Sequence, residues 1–250
     1  MMATVLVPIP STDFDPTETA VPWAILRAAG HRVCFATPDG RVGAADDRMV
    51  NGTGLGPLAP LLRADTNGRA AYAELRHSPE FGAPLRWDGL GAAPYDALLL
   101  PGGHAPGMKS YLESPAVQAQ VSACFAAGKP VGAICHGVLV AARARSDSGR
   151  SVLHGRRTTA LIKRMELSAW ALTCAWLGNY YRTYPLPVED EVGAALATRD
   201  DFLRGPMSLT RDSPTNLAAG FTVRDGAYLS ARWPGDAHRF GHDFAALLAA

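Results

Sequence analysis

At 250 residues the chain is long enough to bury a substantial core, as one large domain or two small ones. A hydrophobic fraction of 48%, a charged fraction of 19% and a formal net charge of +1 are those of a globular protein and argue against a dedicated nucleic-acid binder. The opening MMATVLVPIPSTDFD lacks the basic segment, apolar run and small-residue cleavage site of a secretory leader, and no apolar run approaches the ~18 residues that span a bilayer.

ATVLVPIP, residues 3–10, reads as a buried strand. A helix through ETAVPWAILRAAG stops at Gly30, and HRVCFATP follows as a second strand, together the helix-to-strand half of a parallel crossover. Residues 39–94 are rich in Gly, Pro, Asp and Arg, with one helix expected around RAAYAELRHSPEF. They read as an insertion capping the sheet, too poor in apolar residues for a core of their own. YDALLLPGG resumes the pattern as a strand ending in a glycine pair. SPAVQAQVSACFAAGK is a helix with Ser114 as N-cap, PVGAI a strand and GVLVAARAR a helix. GRRTTALI reads as a strand, MELSAWALTCAWL as a helix, GFTVRDGAYLSARW as two strands around Asp225-Gly226, and DAHRFGHDFAALLAA as the closing helix. Strands alternating with helices predict an α/β domain over 1–250, with a mostly parallel sheet covered on both faces.

Ligands of open α/β sheets bind beyond the carboxyl ends of the strands. Two suggestive loops fall there, PGGH after Leu100 and CHG after Ile134. The second joins strand to helix without slack, which forces its central residue into a strained turn and presents that side chain, as in a nucleophile elbow. At a helix N-terminus the Cys135 thiolate gains stability. Backbone N–H groups after Cys135, with one reached through the side-chain-free Gly102-Gly103 pair, are positioned to bind an oxyanion. The competing reading makes Cys135 a small core hydrophobe. Cys34, Cys124 and Cys174 fall inside predicted elements and keep that role. The four thiols are widely spaced with no C-x-x-C, which indicates neither zinc nor disulfides and fits a reducing cytoplasm.

LPGGHAPGM followed by GKPVGAICHG resembles the ThiJ/PfpI superfamily, whose members include intracellular proteases and amidases, cofactor-free glyoxalases and redox-responsive chaperones. ETAVPWAILRAAGHRV is similar to that family's first unit, where a glutamate contacts the nucleophilic cysteine; by position it is Glu18. The resemblance implies a flavodoxin-like three-layer sandwich with a nucleophile elbow. His136 directly after the cysteine is similar to both the protease and the glyoxalase III/heat-shock chaperone branches, and the long insertion resembles the latter rather than the compact protease-like one. Class I glutamine amidotransferases share the elbow but carry a late H-x-E pair, which DAHRFGHDF lacks. In the chaperone branch a further acid orients the histidine about thirty residues after the cysteine, and Glu166 stands at that spacing.

The competing roles are ordinary ones. DPTE makes Asp15 the N-cap, Pro16 the first helical residue and Glu18 the third, a capping box. Glu166 has the place of a solvated first-turn glutamate. His104 either faces the pocket or closes a turn. His238 and His242 have zinc-like i, i+4 spacing but no third ligand nearby. The segment 166–187 is unusually aromatic, either core or dimer packing or a pocket wall. Seven basic residues between Arg143 and Arg164 read as a solvated face.

The resemblance implies a cofactor-independent thiol enzyme without a metal, acting on a small reactive carbonyl, with methylglyoxal to lactate as the type reaction. Cys135, His136, Glu18 and Glu166 form its expected catalytic set, and Gly102, Gly103, His104 and Gly137 its oxyanion and substrate contacts. A Cys-dependent amidase or peptidase, and a stress chaperone or cysteine redox sensor, are the alternatives. A cytoplasmic homodimer with no nucleic-acid or membrane partner completes the expectation.

Overall fold

The computed structural model describes residues 2–92 and 94–250. Among the described residues there are nine strands: β1 (Thr4–Pro8), β2 (Thr12–Phe14), β3 (Arg32–Thr37), β4 (Ala44–Ala45), β5 (Leu85–Arg86), β6 (Ala97–Leu100), β7 (Val131–Ile134), β8 (Thr222–Asp225) and β9 (Tyr228–Ala231). Seven of them form one sheet in the order β5-β3-β1-β6-β7-β9-β8. All of its pairings are parallel except β8 with β9. The helices are α1 (Pro16–Ala28), α2 (Asp47–Asn51), α3 (Ala59–Leu62), α4 (Thr66–Leu75), α5 (Pro79–Gly82), α6 (Lys109–Leu112), α7 (Pro115–Ala126), α8 (Gly137–Arg143), α9 (Lys163–Leu177), α10 (Val188–Ala195) and α11 (Ala237–Ala249).

The sheet is the predicted flavodoxin-like one, and its central strands explain why. VLVP, ALLL and VGAI are buried throughout, as strands covered on both faces must be. Helix α1 packs against α4 and α11, while α7 and α10 pack against α8. The chain leaves β1 towards β3 on one side and later enters β6 on the other. That reversal opens a crevice beyond the carboxyl ends of β1 and β6, the usual ligand position in such sheets.

Two expectations are corrected. GRRTTALI forms no strand, only an isolated bridge from Thr158 to Phe202. The place beside β7 is taken by β9, and the threonines bond to side chains of that strand. Thr159 N–H donates to Ser230 Oγ at 2.9 Å, and Thr158 Oγ1 meets the Tyr228 hydroxyl at 2.9 Å. The insertion is also more structured than one helix: α2 to α5 lie within it, and β5 extends the main sheet beside β3. Its α2 residue Met49, with Leu55, packs on Tyr181. Trp176 Nε1 donates to Gly54 O at 3.0 Å, and Tyr180 O–H to Asp46. Insertion and aromatic segment thus form one roof near the ends of β1 and β6. Among the described residues, no helix is long and apolar enough to cross a membrane.

Candidate active site

Strand β7 runs straight into α8 through Cys135 and His136. With no intervening loop, Cys135 takes φ 57°, the left-handed region that side chains avoid at a cost of about 1–2 kcal/mol. Its carbon framework is held there from both sides. The Cys135 N–H donates to Ala231 O at 3.0 Å. Behind it, Gly137 leaves no room: a Cβ there would overlap the Leu100 carbonyl oxygen and stand 2.7 Å from that of Pro101. Cys135 is 5% exposed, so the thiol is largely shielded from bulk water.

The glycine pair after β6 closes in from the neighbouring strand. A Cβ on Gly102 would stand 2.5 Å from Glu18 Oε2 and 2.8 Å from the His136 nitrogen. Gly103, at φ 145°, faces the backbone of Asp13 and Asp15 equally closely. Both positions therefore require glycine for close approach. Gly102 N–H donates to Glu18 Oε2 at 2.9 Å, which removes it as an oxyanion donor. Among the described residues no protein acceptor meets the Gly103 N–H, which leaves it able to bind a ligand oxygen.

Glu18 is fully buried. The capping role belongs to Asp15, which accepts the Thr17 and Glu18 N–H groups at 2.8 and 3.0 Å, while the Glu18 side chain turns inward to Gly102. Burial pushes its carboxyl well above the usual range, and the charge of Asp15 adds to this. Burial also pushes the Cys135 thiol up, followed by the charges of Glu18 and Asp15, while the His136 backbone N–H draws it down. Two neighbouring anions in so dry a volume do not coexist, so one group keeps a proton. The His136 backbone N–H draws the thiol down, while the Cys135 side chain and the Gly102 N–H draw the carboxyl down. With both groups raised by burial, the thiol is the resting form of Cys135, and a proton on Glu18 would remove the repulsion on the sulfur when it ionises.

His136 is completely buried, with Nδ1 3.5 Å from Cys135 Sγ and Nε2 3.1 Å from Thr183 Oγ1. The tautomer follows from Thr183. Its single hydroxyl proton goes to the His104 carbonyl oxygen, 2.7 Å away, and a carbonyl cannot donate. The proton between Thr183 and His136 therefore resides on Nε2, which leaves the Nδ1 lone pair facing the thiol. Burial, reinforced by His104 and then Arg143, lowers the ring's pKa to about 3. It is a neutral base at physiological pH.

The expected third member of a triad is corrected here. Glu166 is 3% exposed rather than solvated, and its Oε2 accepts the Val188 N–H at 2.9 Å, holding the start of α10. Thr183 occupies the position against His136 instead. No carboxylate spacing rule could have found it, because Thr183 lies within the irregular NYYRTYP run. His104 does line the site. Its ring stacks on Tyr181 at 4.4 Å and meets Tyr180 edge-on at 4.7 Å, and the aromatic segment thus walls the pocket. Its pKa is also lowered to about 3 by burial. Among the described residues no group of three or more His, Cys, Asp or Glu side chains could hold a metal, and His238 with His242 gains no third ligand.

The tautomer is directly measurable. Nitrogen NMR of the folded protein should give His136 a bare, pyridine-like Nδ1 and a protonated Nε2, with no titration from pH 8 to pH 5. Thr183→Val should let the ring exchange between tautomers; a protonated Nδ1 in the unaltered protein would overturn the assignment. Because the folded pKa lies below the unfolded one, the stability His136 contributes is complete above about pH 6.5 and is lost as pH falls towards 3.

The ThiJ/PfpI family-like model matches residues 9–206, so the sheet, the elbow and the chain belong to that family. The relatives are diverse. Protein DJ-1 homolog D of Arabidopsis thaliana is 32% identical over 143 residues, 57% of this chain and 31% of that protein. The uncharacterized protein C14C4.04 of Schizosaccharomyces pombe is 28% identical over 109 residues, 43% of this chain and 39% of that one. The chain therefore spans well under half the length of these curated relatives. Among solved structures, the Rapid Encystment Protein 24 kDa of Francisella tularensis superposes with a TM-score of 0.72 at 16% identity, covering 99% of both chains. Glyoxalase III of Candida albicans superposes at 0.63 and 17% identity, covering 98% of this chain and 97% of that one.

Proposed function

We propose that the chain is a cofactor-independent thiol enzyme of the glyoxalase III type, converting a small 2-oxoaldehyde to the 2-hydroxy acid. The observation that carries this reading is Cys135 at φ 57° with a neutral, correctly protonated imidazole 3.5 Å from its sulfur. Nδ1 of His136 takes the thiol proton and returns it to the aldehyde oxygen as the sulfur attacks the aldehyde carbon, which forms a hemithioacetal and leaves Nδ1 free again. The Gly103 N–H holds the resulting oxygen. His136 then moves the proton from the aldehyde carbon to the neighbouring carbonyl carbon while the hydroxyl proton passes to the neighbouring oxygen, which converts the adduct to a 2-hydroxyacyl thioester. Water cleaves the thioester, frees the thiol and adds the oxygen of the acid. Glu18, protonated, donates to the sulfur whenever it is an anion.

The near-complete burial of Cys135, 5% exposed, favours a small substrate over a polypeptide. Incubation of the purified chain with methylglyoxal, without glutathione, should yield lactate in a reaction that obeys saturation kinetics. A folded protein that forms no lactate, but releases amine from amides, would replace this reading with hydrolysis.

A further inference from the structure

A cavity of about 590 Å³ is lined in part by His104 and by Thr183, the residue bonded to His136, and is far larger than a three-carbon aldehyde needs. Its lining is charged. Arg48 comes from α2 in the insertion, Lys109 from the start of α6 and Arg182 from the aromatic segment. Three elements distant in sequence thus bring cations to one space. Among the described residues, none of the three has a carboxylate within 4 Å.

Their other contacts leave them largely unsatisfied. Arg48 lies over the Tyr180 ring and donates one long bond, 3.4 Å, to Thr53 O. The Lys109 ammonium lies over the Tyr184 ring at 5.4 Å and, among the described residues, makes no hydrogen bond. Arg182 donates from Nη2 to Pro185 O, yet its Nε is buried with no acceptor. A buried donor without a partner is costly unless something else supplies one.

The two acids in the lining are already provided for. Asp13 Oδ2 accepts the Gly107 N–H at 2.8 Å, and Asp46 accepts the Arg48 N–H at 2.9 Å together with the Tyr180 hydroxyl. Glu166 feels the Arg182 charge from beyond 4 Å, but it serves the Val188 N–H. With three cations against two carboxylates already engaged, the lining keeps an excess of positive charge.

We propose that this cavity is an anion subsite, which holds the carboxylate or phosphate tail of a substrate whose aldehyde end reaches Cys135. The assignment of that aldehyde end rests on the thiol-enzyme reading; the anion binding does not. The implied substrate class is a 2-oxoaldehyde with an anionic group at its far end. Methylglyoxal would occupy the thiol end alone and leave the cations unmet.

Two measurements test this. In the Cys135→Ala protein, titration calorimetry with glutarate and with inorganic phosphate should show binding that weakens with salt. Lys109→Gln and Arg48→Gln should each weaken it by about tenfold. Lys109 is exposed, so its variant tests the charge without threatening the fold. The tighter of the two anions identifies carboxylate or phosphate as the tail. In the unaltered protein, kcat/KM for 4,5-dioxopentanoate should exceed that for methylglyoxal by about tenfold, a ratio that collapses in Arg48→Gln. Failure of both anions to bind, or binding indifferent to both substitutions, overturns the subsite even if methylglyoxal is turned over. Charge-dependent binding in a protein that transforms no 2-oxoaldehyde would keep the subsite and remove the thiol-enzyme reading.

Discussion

Cys135→Ser should lower kcat/KM for a 2-oxoaldehyde by about 1,000-fold or more, with the protein still folded. Serine keeps the shape and the left-handed turn, but its hydroxyl does not ionise beside a carboxyl and a neutral imidazole. His136 Nδ1 is a weak base, with a pKa lowered to about 3. In the proposed mechanism it accepts a proton from a thiol assisted by the His136 N–H, and a hydroxyl is a far poorer acid. Two further substitutions at the same position separate chemistry from strain. At φ 57° alanine retains the Cβ penalty and glycine does not. Cys135→Gly should therefore be more stable than Cys135→Ala by about 1 kcal/mol, the reverse of the ordinary order of these residues. Thermal or denaturant unfolding measures the difference. Alanine more stable than glycine would mean that the turn is unstrained.

The elbow was legible because its cause is local. VGAI, CHG and VLVAAR leave no residue for a loop between β7 and α8, and only a left-handed residue can make that junction. The glycine pair after β6 was legible for a similar reason, since a backbone must pass where side chains would collide. Glu18 was ambiguous in sequence, as DPTE satisfies a capping box whether or not the glutamate turns inward. The fold resolves it, because Asp15 alone accepts both N–H groups. Thr183 was invisible. Its role depends on where 178–187 crosses the end of the sheet, and that path is set by packing with the insertion around Met49 and Leu55, contacts more than a hundred residues apart. GRRTTALI failed for a tertiary reason too. Its strand-like composition is real, but the neighbouring place in the sheet is filled by β9, and Thr158 and Thr159 bond to side chains of that strand rather than to its backbone.

Gly137→Ala should be the most damaging of the small substitutions, costing about 3 kcal/mol of stability and lowering turnover roughly 100-fold. The new methyl would collide with the carbonyl oxygens of Leu100 and Pro101. These belong to the end of β6 and to the residue preceding the glycine pair, so no flexible side chain can yield. Relief requires α8 to lift away from β6, and α8 begins two residues after the nucleophile. The shift would carry Cys135 and His136 away from Glu18 and Gly103 together, which couples the loss of stability to the loss of rate. Gly193 supplies the contrast within the same molecule. It lies in α10 with nothing within 4 Å of an added Cβ, so Gly193→Ala should raise stability by about 0.5–1 kcal/mol and leave turnover unchanged. Parallel unfolding and rate measurements on the two variants compare a glycine imposed by contact between strand and helix with one that is merely permitted. If Gly137→Ala behaved like Gly193→Ala, the close approach of α8 to β6 would have no part in holding the thiol in place.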